Sequence, residues 1–279
     1  MFVSVVRPGD LTDRFPERNP RNFEQMVLAE GDSWFSLGGV PAGNILYQLK
    51  SNKSTLVVTI ADPGDTMVHV GNPDNMRELR RLVALPQFAY KWKCILLSGG
   101  GNDLVDNAAT ILVNTNPASS IAADYINAAA LDQVLQRVQA AYRAIVAMRD
   151  DPESVNRDVP IYVHTYDYPT PRNAPARFLG AGIQGPWLFK ALSEKGIPPA
   201  MWQQVSDRML DKLAEAILAL DARTLPTGLP NFFVVNTRGV LSRARPETTG
   251  SEADWLNEIH PNASGNGKLA GILSEAMTL

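Results

Sequence analysis

The chain has one cysteine, Cys94, among 279 residues. An intramolecular disulfide is therefore impossible, and a cysteine-rich zinc site is excluded. Cys94 stands in the apolar run Cys94-Ile95-Leu96-Leu97, where a buried, inert thiol is expected. Excess charge is also lacking: 26 Lys and Arg against 29 Asp and Glu give a formal net charge of −3, which offers no electrostatic case for a nucleic-acid partner. Arg77, Arg80 and Arg81 read as the solvated face of a short helix. No apolar run is long enough to span a bilayer. The first residues, Met1-Phe2-Val3-Ser4-Val5-Val6-Arg7-Pro8, lack the long apolar core and small-residue cleavage site of a secretory signal. A cytoplasmic location is the default expectation, and a secreted mature form would read the same. There is no internal repeat.

What remains is ordinary for a globular protein, with 45% hydrophobic and 20% charged residues. The length suits one large domain or two small ones. Five short apolar runs punctuate the chain: Met26 to Ala29, Thr55 to Ile60, Cys94 to Leu97, Ile161 to Thr165, and Phe232 to Val235. Runs of this length bounded by Gly, Pro, Asp or Asn predict buried parallel strands. Helical patterns lie between and after them, roughly Gly43 to Leu49, Asp74 to Leu82, Ala122 to Met148, Met201 to Leu220 and Ala263 to Ala276. The third is the clearest, with Leu131, Val134, Leu135, Val138, Tyr142, Ile145 and Val146 at helical spacing. Strands alternating with helices predict a parallel sheet wrapped by helices, with ligands at the carboxyl ends of the strands. Residues 167–200 break the rhythm with repeated prolines and glycines and with Phe178, Trp187 and Phe189. Following a strand's carboxyl end, this irregular segment should border a site, and its aromatics could form an apolar wall.

Three motifs sit at such strand ends or near the end of the chain. Gly31-Asp32-Ser33 leaves the first run, Gly99-Gly100-Gly101-Asn102-Asp103 leaves the third, and His260-Pro261-Asn262 precedes the last helix. Alone, Ser33 is equally a helix N-cap. A serine hydroxyl becomes a nucleophile when a base takes its proton, and only His69, His164 and His260 are available. His164 lies inside a strand and His69 is flanked by valines. His260 sits in a loop with acidic and amide groups within reach and is the candidate base. Gly64, after the second run, and Asn102, after three glycines, could donate to a developing oxyanion. A phosphate loop would want a Lys with Ser or Thr after the glycines, and Asn102-Asp103-Leu104 has neither.

Gly31-Asp32-Ser33, Gly64-Asp65-Thr66, Gly100-Gly101-Asn102-Asp103 and His260-Pro261-Asn262 together, in this order, resemble the four blocks of the SGNH (GDSL-type) hydrolase superfamily. The resemblance runs from the first strand to the last helix. It implies a single domain over 1–279 with a flavodoxin-like three-layer α/β/α sandwich and a five-stranded parallel sheet. It implies Ser33 as nucleophile, His260 as base, and the Ser33 N–H, the Gly64 N–H and the Asn102 amide as oxyanion donors. The implied activity is hydrolysis of a small-molecule, lipid or carbohydrate ester without metal or cofactor. The family usually carries Asp three residues before the histidine, where this chain has Asn257. Asn257, Asp254 and Glu258 all remain as groups that could orient His260. The missing carboxylate also motivates the alternative of a non-catalytic binding protein on the same fold.

Overall fold

The computed structural model describes residues 2–37, 43–178 and 182–279, with the side chains of 177, 178, 182 and 183 outside that description. In chain order the elements are β1 (Val3–Val6), β2 (Gln25–Gly31), α1 (Ser33–Ser36), β3 (Thr55–Thr59), α2 (Met67–Val70), α3 (Arg77–Val83), β4 (Cys94–Ser98), α4 (Gly101–Asp106), α5 (Ala108–Ile111), α6 (Ala128–Arg149), β5 (Ile161–His164), β6 (Ala176–Phe178), β7 (Gly182–Gln184), α7 (Leu188–Glu194), α8 (Trp202–Leu218), β8 (Phe232–Val235) and α9 (Ala263–Ala276).

The apolar runs form strands because both faces are covered. Every residue of β3 and β4 is buried, as are six of the seven in β2, the pattern of a parallel sheet between helical layers. The sheet order is β1-β3-β2-β4-β5-β8, all parallel, with β6 and β7 as a separate antiparallel pair. Leu28 of β2 lies opposite Val58 on one side and Ile95 on the other. Helix α6 packs against α2, α3, α4, α5 and α8, while α9 packs against β8 and the 3-10 turn Ile45–Gln48. The result is the expected three-layer α/β/α sandwich.

Six strands stand where the sequence reading expects five. The additional one is β1, a four-residue edge strand with only Val6 buried, too short and too exposed to register as an apolar run. Without it the order β3-β2-β4-β5-β8 is the flavodoxin-like one. The segment 43–49 is a 3-10 turn rather than a helix, and the long helix expected from Ala122 begins at Ala128. Asn127 caps it by accepting from the Ala130 N–H, and this local hydrogen bond fixes the start. One glycine decides where the serine motif sits. A Cβ on Gly31 would collide with the Ser98 backbone, so only glycine lets the end of β2 lie this close to β4.

Candidate active site

Ser33 is the first residue of α1, directly after the strand it leaves. Asp32 caps that helix, its Oδ1 accepting from the Trp34 N–H at 3.0 Å. The turn is clamped from the far end of the sequence, because the Trp34 indole N–H donates to the Ile259 carbonyl at 3.2 Å. That carbonyl belongs to the residue before His260, so one hydrogen bond joins the serine turn to the histidine loop.

The loop itself is pinned by backbone bonds from Leu256 N–H to the His260 carbonyl and from Asn262 N–H to the Asp254 carbonyl. Within it, His260 Nε2 lies 2.9 Å from Ser33 Oγ, and its Nδ1 lies 2.9 Å from Asn257 Oδ1. The same amide oxygen accepts from the backbone N–H of Ile259 at 3.1 Å and of His260 at 3.0 Å. Two backbone donors leave only an oxygen acceptable at that position, which fixes the amide orientation. An acceptor facing Nδ1 puts the imidazole proton there and leaves Nε2 with its lone pair toward the serine hydroxyl. Burial pushes the His260 pKa down to about 4, since a charged imidazole is poorly solvated there. The ring therefore stays neutral over a wide pH range.

The other two candidates for orienting His260 are engaged elsewhere. The Asp254 carboxylate accepts from the Ser242 N–H, the Ser264 hydroxyl and Lys268 Nζ. The Glu258 carboxylate accepts from the N–H groups of Trp187, Leu188 and Phe189 at the start of α7. That contact brings Trp187 edge-on to the His260 ring, centroids 5.5 Å apart. Of the other aromatics expected to wall the site, Phe189 packs against Trp202 instead, and the Phe178 side chain lies outside the described residues.

Asn102 Nδ2 donates to the Asp65 carbonyl at 2.9 Å, and an amide nitrogen has a second N–H to offer. The next residue makes a bond that sequence reading missed: Asp103 accepts from the N–H groups of Met67 and Val68 at 2.6 and 3.1 Å. The asparagine and glycine blocks are thus tied together by two adjacent side chains. Gly64, at φ +84°, sits in the exposed turn after β3, beside Asp65. A cavity brings Ser33 and Asn102 to one surface with Trp34, Leu104, Leu188 and Leu210; Gly64 is not among its lining residues. Among the described residues, no three His, Cys, Asp or Glu side chains are grouped so that they could hold a metal ion.

Beneath the serine turn lies a second, wholly buried network. His164 Nε2 is 2.9 Å from Ser98 Oγ, Ser98 Oγ is 2.9 Å from Asp32 Oδ1, His164 Nδ1 is 2.9 Å from the Thr165 carbonyl, and the Tyr166 hydroxyl donates to Asp32 Oδ2. Four contacts need four protons. Neutral His164, Ser98 and Tyr166 bring one each, and ionised Asp32 brings none. The arrangement is complete only with one further proton, on Asp32 or on His164. Burial raises the Asp32 pKa to about 6 and lowers that of His164 to about 4, so that proton, when it is taken up, goes to the carboxyl group before the imidazole. His69, by contrast, is exposed on α2 and pairs with Asn75.

No family model matches the sequence, and no curated protein matches it either. Solved structures do. A possible lipase from Chitinophaga pinensis aligns over 91% of this chain and 97% of its own, with 14% identity and a TM-score of 0.50. The chain shares the α/β fold of that structure. The M. smegmatis aryl esterase aligns over 90% of this chain and 97% of its own at 14% identity and a TM-score of 0.48. An acetylxylan esterase from Geobacillus stearothermophilus aligns over 92% and 95% at 14% identity and a TM-score of 0.43. The strand ends that precede Ser33, Gly64 and Asn102 lie on one rim of the parallel sheet, and the loop before α9 brings His260 to Ser33 there.

Proposed function

We propose that the chain hydrolyses carboxylic esters through an acyl-serine intermediate. Ser33 Oγ attacks the ester carbonyl carbon while His260 Nε2 takes the hydroxyl proton. Asn257 Oδ1 holds the imidazole in the tautomer this step needs. The Ser33 N–H, the Gly64 N–H and the Asn102 amide donate to the oxyanion. Collapse of the tetrahedral intermediate breaks the bond to the alcohol oxygen, which leaves with the proton from His260. Water, deprotonated by the same nitrogen, then releases the acid and restores Ser33.

The observation that carries this reading is the unbroken line from Ser33 Oγ to His260 Nε2 and from Nδ1 to Asn257 Oδ1, 2.9 Å at each link. Asn257 accepts the Nδ1 proton as a carboxylate would but brings no charge to stabilise the imidazolium. That favours a slow esterase over a fast one, and it is the one feature that favours the second reading, a binding protein on the same fold. The same proposal treats 1–279 as a single domain, with 167–200 as an insertion beside the site.

A panel of p-nitrophenyl esters from acetate to palmitate tests both readings. Turnover of any member above the Ser33→Ala background supports the hydrolase. A folded protein that turns over none of them favours the binding protein.

A further inference from the structure

Among the described residues lining the cavity beside Ser33, Ser206 carries a polar group for which the fold supplies no partner. Ser206, on α8, is 1% exposed and lines the cavity, and its hydroxyl has no hydrogen-bond partner among the described residues. The other polar side chains on the same wall are occupied. Asp32 accepts from Trp34 N–H and Tyr166, Asp167 accepts from the N–H groups of Tyr168, Gly239 and Leu241, and Asn102 donates to Asp65. The remaining lining, including Leu104, Val105, Leu188 and Leu210, is apolar. Leaving a buried hydroxyl unpaired is unfavourable, and serine is a weaker helix former than alanine. The hydroxyl therefore adds no hydrogen bond to α8 among the described residues, on a residue that lines the cavity.

The available space also bounds what enters. The cavity volume is about 40 Å³, room for a few water-sized groups. Of the two halves of an ester, the alcohol must depart while the acyl group is still on Ser33. A recess walled by buried side chains suits the half that stays.

We propose that Ser206 is a specificity-determining residue that hydrogen-bonds an oxygen on the acyl group, so that the preferred substrates are esters of short hydroxy acids or similarly oxygenated short acids. This deepens the ester-hydrolase reading and rests on it.

Two isosteric pairs of phenyl esters test it: glycolate against propionate, and 3-hydroxypropionate against butyrate. The wild type should favour the hydroxylated member of at least one pair by roughly tenfold in kcat/KM, the value of one buried hydrogen bond made or left unmade. Ser206→Ala should remove that preference, slowing the hydroxyacyl ester and speeding the alkyl one. A wild-type preference for the alkyl member in both pairs, or ratios untouched by Ser206→Ala, would overturn the proposal. Hydroxyacetone and butanone, titrated by ligand-observed NMR, separate this from failure of the hydrolase reading. If no ester is turned over, tighter binding of hydroxyacetone that disappears in Ser206→Ala still supports the recess, and equal binding of the two ketones overturns it. The melting temperature of Ser206→Ala should equal or exceed that of the wild type. A clear drop would mean that the hydroxyl already has a partner within the protein, which also overturns the proposal.

Discussion

Two histidines in this protein make nearly the same contacts. His260 Nε2 lies 2.9 Å from Ser33 Oγ and His164 Nε2 lies 2.9 Å from Ser98 Oγ. Each packs on a tryptophan, Trp187 edge-on for His260 and Trp34 stacked for His164, and burial lowers each pKa to about 4. They differ in what lies beyond the pair. Ser33 opens onto a cavity shared with Asn102, whereas Ser98 is 1% exposed and its hydroxyl contacts the Asp32 carboxyl group. A serine beside a histidine is thus not enough for chemistry. A substrate must reach the serine oxygen, and donors must wait where its charge develops. The inner pair instead supports the outer one, since Asp32 also caps the turn that carries Ser33.

The comparison breaks most sharply at the two serines. Ser33→Ala should lower ester turnover by roughly 10⁴-fold or more. Ser98→Ala touches the reacting atoms only at second hand, through Asp32, Tyr166 and His164, so a loss of roughly tenfold or less is expected from the same steady-state assay. Equal losses would make the inner pair part of the chemistry. Next in size is Asn102→Ala, which should lower kcat by roughly 10²–10³ with little change in KM. A change confined to KM would make Asn102 a substrate-binding group.

A smaller effect separates the histidines by pH. A base with its pKa near 4 is protonated only in strong acid, so kcat/KM should hold down to about pH 5 and fall as pH drops through 4. Asn257→Asp places a carboxylate against the ring, which stabilises the imidazolium and should move that fall to higher pH. A wild-type profile that breaks near the ordinary histidine value of about 6.5 would contradict the assigned environment of His260. The smallest effect concerns stability. The folded state keeps His164 neutral to about pH 4, while the unfolded chain takes up a proton near pH 6.5. Its contribution is therefore complete above pH 6.5 and is lost as pH falls toward 4. His164→Gln should flatten that part of the melting-temperature profile and leave the acid limb of activity in place. A shifted activity limb would give His164 a role at the reaction.

Sequence made the outer pair legible because its members stand in short motifs at strand ends and before α9. Ser33, Asn102 and His260 could each be picked out from neighbours within a few residues, and Asn257 from its spacing. The inner network has no such local mark. Asp32, Ser98, His164 and Tyr166 come from three strand ends, and only the sheet order brings β2, β4 and β5 side by side. The clamp from Trp34 to Ile259 spans most of the chain and was equally invisible, as was Asp103 holding the start of α2. The orphan hydroxyl of Ser206 shows only once α8 is packed, because a serine on a helix is unremarkable until its surroundings are known. Strand β1 is illegible in the sequence for another reason. A four-residue edge strand with one buried residue carries too little apolar pattern to separate from a loop.

The most direct test of the account is labelling of the folded protein with a fluorophosphonate, followed by peptide mapping. The probe reports an activated serine whatever the natural ester is. A single adduct on Ser33, absent from Ser98 and lost in a folded His260→Ala variant, is the expected result. A folded wild-type protein that takes up no label, or takes it up on another serine, would contradict the claim that His260 activates Ser33.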